Sequence, residues 1–266
     1  MKISTWCGIV LVAVVLVIGI FAPALAPFPE GYRDFDHPLA PASDSHPLGT
    51  TEDGTDILSA LFYGARVAIV VGLAAVALSV TIGTLIGLIA GWFGGLTDQC
   101  LMRLIEIFLS FPGFLLALLI VFVLGEASVL GVVLALNVTG WAGYARLVRG
   151  QVLAMKHREF VLAAKAMGAS TSRILRVHLL PNVFGPVTVQ ATFGVAGAIL
   201  AEASLSFLGV GPQDVTSWGA LLEEGSVLFL TTPWLGILSG GCLFTTILGI
   251  NLLGDALRDH LDPKAI

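Results

Sequence analysis

A window long enough to cross the hydrocarbon core of a bilayer picks out six apolar runs in this chain. They lie at about residues 7–26, 67–92, 101–124, 128–148, 184–208 and 234–254. Backbone amides and carbonyls have no water to bond in lipid, so such runs must become helices. The expectation is an all-α polytopic membrane protein with six transmembrane helices. Composition agrees: of 266 residues 56% are hydrophobic and only 12% charged, which excludes an ordinary soluble domain. No heptads, low-complexity tracts or short repeats divide the chain, so residues 1–266 read as a single transmembrane domain. The first run is long for a secretion signal, has only Lys2 before it and runs directly into Pro27, so it reads as a retained helix. Pro112 should kink the third run or shift its start.

The charges set an orientation. Arg146, Arg149, Lys156, Arg158, Lys165, Arg173 and Arg176 make up more than half of the 13 lysines and arginines, and all fall in one loop region. The segment at about 27–66 is acidic instead, with Glu30, Asp34, Asp36, Asp44, Glu52, Asp53 and Asp56 against Arg33 and Arg66. The loop at 209–233 has no basic residue. The positive-inside rule then places both termini and the basic loop in the cytoplasm, with the acidic segment outside. Within that segment, "TEDGTDILSALFYGAR" (51–66) puts Ile57, Leu58, Leu61 and Phe62 on one helical face, which suggests an interfacial helix lying on the outer leaflet.

Polar and small residues inside the runs carry further expectations. Gly83, Gly87 and Gly91 align on one helix face, for close packing or for a flexible pore lining. Arg103 and Glu106 are spaced to pair near the cytoplasmic boundary. Glu202 and Asn137 are candidates for the translocation path; Glu202 could attract a cation there or bond to a neighbouring helix. Asn251 and Asp255 read as an interfacial anchor, and Glu126 as marking the outer mouth. His37 and His46 in the acidic loop have no recognised metal-ligand spacing, and the three scattered cysteines give neither a disulfide framework nor a metal site. No nucleophile–base constellation is visible. "LSGG" (238–241) mimics a nucleotide-binding signature, but it lies in an apolar run and the chain has no phosphate-binding loop. "NVT" (137–139) matches a glycosylation triplet but also lies in an apolar run.

One basic stretch does not suit lipid. Met155 to Pro181 reads as two short helices joined at Gly168, with Ser170 capping the second and Pro181 ending it. Phe160, Ala163, Ala164 and Met167 form an apolar face. "EFVLAAKAMGASTSRILRVHLLPN" resembles the cytoplasmic EAA loop of ABC importer permeases, in which Glu-Ala-Ala precedes a glycine, an isoleucine and a closing Leu-Pro. Ala163, Ala164, Gly168, Ile174 and Pro181 match, and His178 fits one branch. Leu162 stands where the name-giving Glu would, with Glu159 three residues earlier. "HPLGTTEDGTDILSALFYGAR", "GWFGGLTDQCLMR", "ILAEASLSFLGVG", "SWGALL" and "NLLGDALRDHLDP" extend the likeness to the dipeptide/oligopeptide/nickel branch, and to its shorter C subunit.

That resemblance implies a cytoplasmic helix-turn-helix, at about 149–182, that docks into a groove of a separate ABC ATPase. It implies a homologous second permease subunit, two ATPase subunits that hold ATP and Mg, and an extracytoplasmic solute-binding protein. The chain itself would bind no cofactor or metal and catalyse nothing, in a bacterial or archaeal cytoplasmic membrane. Di- or oligopeptides are the first substrate class and nickel, free or chelated, the second. A stand-alone secondary transporter or channel is the rival from another class. It would need inverted repeats or paired broken helices, which the runs do not show. An exporter subunit is a third reading, against which the importer-type loop argues.

Overall fold

The computed structural model describes residues 3–125 and 128–261, so Glu126 lies outside the described residues. The helices are α1 (Ile3–Leu25), α2 (Ile57–Phe93), α3 (Gly95–Ser110), α4 (Gly113–Leu124), α5 (Val129–Met155), α6 (Glu159–Ala166), α7 (Thr171–Arg173), α8 (Leu180–Phe207), α9 (Trp218–Val227) and α10 (Pro233–Leu261). A π-helical turn, Ile174–Leu179, joins α7 to α8. Among the described residues there is no strand, only one isolated bridge between Thr50 and Asp56. Four helical rods are long and apolar enough to cross a membrane: α1, α2, the continuous rod Thr171–Phe207, and α10. The pair α3–α4, bent by 82°, would make a fifth. The 27-residue α5 falls outside that count, its apolar character diluted by Asn137, Arg146 and Arg149.

Three local expectations are corrected. The interfacial helix expected at 51–66 does not exist as a separate element, because Ile57–Arg66 is the beginning of α2. Ile57 and Leu61 of the expected apolar face are instead buried, with Ala60, against α8, α9 and α10, while Leu58 and Phe62 are half-buried. Asp56 caps the helix, accepting from the Ser59 amide at 2.8 Å. Pro112 breaks the third run outright. The residue before a proline is driven to extended backbone, and Phe111 has φ −94°, ψ 143°. Finally, the helix begun at Ser170 does not stop at Pro181. The Leu180 amide reaches back five residues to Leu175, and the wider turn lets the proline, which lacks an N–H and crowds the carbonyl before it, enter the first turn of α8.

Apolar side chains cover the outside of the bundle as well as its core. Phe122, Val123, Phe184, Ile237 and Phe244 are exposed on the outside, as side chains that meet lipid tails must be. Small residues fill the contacts, because helix association in lipid relies on close van der Waals approach. The α2–α5 pair shows this best. A Cβ added at Gly87 would stand 2.6 Å from the Ala145 carbonyl, and one at Gly91 would stand 2.8 Å from the Val152 Cβ. Gly83 faces the Trp141 carbonyl in the same way. The glycine stripe is therefore a packing seam rather than a pore lining.

The two polar ends of the bundle carry opposite charge. At the acidic end the 26–56 segment is sewn to the helices. The Glu52 amide donates to Glu224 Oε1 (2.8 Å) and the Trp234 indole to the Leu48 carbonyl (3.2 Å), while the Trp218 indole ties α9 to α2 through the Leu61 carbonyl (2.9 Å). At the basic end Arg149 on α5 clasps Asp98 on α3, with Nη2 to Oδ2 at 2.6 Å.

Candidate functional site

The basic turn is built by backbone chemistry that its sequence dictates. Good helix formers carry α6 as far as Met167, and Gly168 then takes φ +78°, a left-handed conformation that other residues adopt at a cost. The Ala169 amide donates to the Ala164 carbonyl (3.0 Å) and the Gly168 amide to the Lys165 carbonyl (2.9 Å). That pair of bonds is a Schellman stop, which satisfies carbonyls that α6 would otherwise leave bare. Ser170 starts the next helix by accepting from the Arg173 amide at 3.4 Å. Glu159 lies in the first turn of α6 and Lys165 in the last, each where the helix dipole favours its charge.

The motif residues divide by side. Ala164 and Ile174 are buried, and with Val161, Leu179, Val183 and Val152 they form a cluster that roots the turn on α5 and α8. Glu159, Ala163, Gly168 and Pro181 are exposed. Met167 is 82% and Leu162 49% exposed, with Phe160 beside them. The single apolar face expected from Phe160, Ala163, Ala164 and Met167 is thus two faces. Ala164 points into the bundle, and the other three point away from it. The His178 ring leans on Phe160 with centroids 6.4 Å apart, tying the π-helical turn to α6. Among the described residues, nothing beyond the glycine and its two chain neighbours lies within 4 Å of a Cβ placed on Gly168, so the apex is open.

Between α2, α4, α5 and α8 is a mainly apolar cavity of about 310 Å³, with Ala75, Ser79, Phe114, Thr139 and Tyr144 in its wall. Asn137 is buried behind this wall. It accepts from the Ser79 hydroxyl (2.7 Å) and donates to the Val133 carbonyl (2.9 Å). Glu202 is only 1% exposed and accepts from the Ser206 hydroxyl at 2.7 Å, one turn further along α8 itself rather than on a neighbouring helix. Arg103 and Glu106 do pair, at 2.9 Å, on the exposed face of α3. "LSGG" is an ordinary part of α10, where Ser239 donates to the Leu235 carbonyl (2.7 Å).

A second cavity, about 470 Å³, opens at the acidic end among Glu30, Glu52, Asp53, Asp214, Glu223 and Glu224, with Arg33 on its rim. Burial pushes the Glu224 carboxyl above its ordinary range; the Glu52 amide partly opposes this, and the neighbouring Asp53, Glu52 and Glu223 add to it. Burial also works against the Asp53 carboxylate, yet bonds from Thr51 and Thr55 and the charge of Arg33 hold it below the usual value. Asp34 is held low by His37. His46 is buried between Asp56 (3.0 Å) and Asp34 (3.4 Å) and stacks on Phe28, so it is a structural clasp at the start of α2. Among the described residues no group of three or more His, Cys, Asp or Glu side chains could hold a metal ion.

Sequence reasoning gave no role to Trp92, which packs against the cluster beneath α6, and counted Lys156 only for its charge, whereas its Nζ donates to the Gly91 carbonyl at 3.3 Å. The available signal was an aromatic residue closing an apolar run in "GWFGGLTD".

Residues 83–266 match the family model described as "Binding-protein-dependent transport system inner membrane component". The oligopeptide transport system permease protein OppC of Bacillus subtilis (strain 168) is 38% identical, over 97% of this chain and 84% of that protein. The dipeptide transport system permease protein DppC of the same organism is 39% identical, over 97% and 81%. Among solved structures, an inward-facing form of the MetNI methionine ABC transporter superposes with a TM-score of 0.64 at 17% identity, covering 77% of this chain and 98% of that one. At that identity the likeness shows the fold alone.

Proposed function

This chain belongs to the family of binding-protein-dependent transport system inner membrane components, and we propose that it is the C-type permease subunit of an ATP-driven importer of di- or oligopeptides. The observation that carries the mechanism is the basic turn. Its underside is fixed to α5 and α8 by buried Ala164 and Ile174, and its apex presents Gly168, Met167 and Leu162 to the surroundings. That is the form of a docking element. ATP and Mg belong on two ATPase subunits that seat this apex, and the chain binds no cofactor of its own. ATPase closure moves the turn and rocks the helices between inward- and outward-facing states.

A second, homologous permease completes the pathway, and a solute-binding protein delivers peptide at the acidic end. In this reading the bent α3–α4 pair and α5 supply two spans beyond the four rods, giving six. Both termini and the basic end face the cytoplasm, as the positive-inside rule directs. The path runs by the cavity at Ser79 and Thr139, with Asn137 fixing its wall and Glu202 supporting α8 from behind. The peptide-permease relatives support peptide over nickel as cargo. The test is uptake of a labelled dipeptide and of radioactive nickel, side by side, in cells with and without this chain. Peptide uptake that depends on the chain, with nickel uptake unchanged, is expected. The reverse result would make it a nickel permease.

A further inference from the structure

The buried cluster beneath the basic turn also draws on α2 and α5, and one residue packed against it from α2 meets a charged side chain of the turn. Trp92 lies in the last turn of α2, half-buried against the cluster that holds Val161, Ala164 and Ile174. Above it the Lys165 ammonium of α6 sits 4.5 Å from the ring centroid. A cation within about 6 Å of an indole face is drawn to its negative quadrupole, and tryptophan is the strongest partner of this kind. One residue earlier, Lys156 grips the Gly91 carbonyl, so the end of α2 is held from α5 as well.

From this point α2 is stiff. The seam at Gly91, Gly87 and Gly83 locks it on α5, and beyond the seam the same helix presents Ser79 and Ala75 to the 310 Å³ cavity. At 1.5 Å per residue, Trp92 and Ser79 are about 20 Å apart on one unbroken helix.

We propose that Trp92 is a positioning residue for transport: it takes up movement of α6 through Lys165 and passes it along α2 to the cavity wall. This rests on the proposed ATPase docking of the α6–α7 turn and names the route by which that docking reaches the pathway. The bland alternative is that Lys165, an exposed cation, touches the ATPase directly. The two differ in how Lys165 and Trp92 combine.

The experiment uses the full transporter in proteoliposomes and reads ATP hydrolysed per radiolabelled dialanine imported, together with the ATPase retained on the permease. With the ATPase still bound, Lys165→Gln and Trp92→Leu should each raise ATP per peptide about threefold, and the double variant should be no worse than either single one. Lys165→Arg should restore the wild-type ratio, since a guanidinium also stacks on an indole. If Trp92→Leu fails to fold, Trp92→Phe against the same Lys165 pair carries the comparison. A wild-type ratio in Lys165→Gln, or single effects that multiply in the double variant, would overturn the route while leaving the permease reading intact. A wild-type assembly that hydrolyses no ATP would overturn both.

Discussion

The acidic and basic ends of this bundle are held by different physics. At the acidic end the chain is fastened by directional polar contacts: His46 between Asp56 and Asp34, Asp56 on Ser59, Glu224 on the Glu52 amide. At the basic end most of the fastening is apolar, with Val152, Val161, Ala164, Ile174 and Leu179 beneath a turn whose outer surface is left bare. Buried polar contacts fix one geometry, because a displaced partner leaves a charge unmet. A packed apolar cluster moves as a body. The difference teaches that one end is made to keep its shape and the other to be carried.

The comparison breaks most sharply at Asp56. Asp56→Ala removes the cap of α2, the Ser59 hydroxyl's acceptor (2.7 Å) and one partner of buried His46 together. It should cost about 3 kcal/mol, read as a lowered melting temperature in detergent. Gly168→Asp tests the other end. The strained left-handed turn and the added side chain at the apex should leave the chain inserted but cut peptide uptake about tenfold. Gly168→Asn, which tolerates that conformation better, separates backbone strain from blocked docking; equal loss in both variants indicates docking.

A smaller effect is expected from pH, and it has two signs at one end. Glu224 is raised by burial, so its contribution to stability is full below the ordinary carboxylate value and lost as pH rises through the raised one. Asp53 is lowered, so its contribution is present above the ordinary value and lost as pH falls through the lowered one. Glu224→Gln and Asp53→Asn should flatten opposite limbs of a plot of melting temperature against pH. The smallest change is Leu162→Glu. The position is exposed, and if the apex docks by the shape that Gly168 sets, uptake should shift by less than about twofold.

The helical character, the charge division and the basic turn were legible because each rests on local chemistry. Gly168 followed from α6's run of helix formers, the Arg103–Glu106 pair from i,i+3 spacing, and the glycine seam from a four-residue repeat. What was not legible depends on continuity or distance. Hydropathy starts α2 at Val67, because the preceding turns mix apolar residues with polar ones that only α9 and α10 explain. It reads Pro112 as a kink or a shifted start, where the structure has an 82° break and a new helix from Gly113. The π-helical turn is set by a proline that the pattern assigned to a helix end. Trp92 meets Lys165 from a remote part of the sequence, and no periodicity announces that.

The glycine seam has a consequence for mutation. At Gly83, Gly87 and Gly91 every missense change adds atoms, since no residue is smaller. At Gly83 and Gly87 the nearest obstacle is a backbone carbonyl of α5, which no side-chain replacement can trim away. A lesion at either position therefore has no simple suppressor opposite it. Recovery requires the two helices to part along their length, so second-site revertants should fall along the rest of the α2–α5 contact rather than at the glycine's own neighbour.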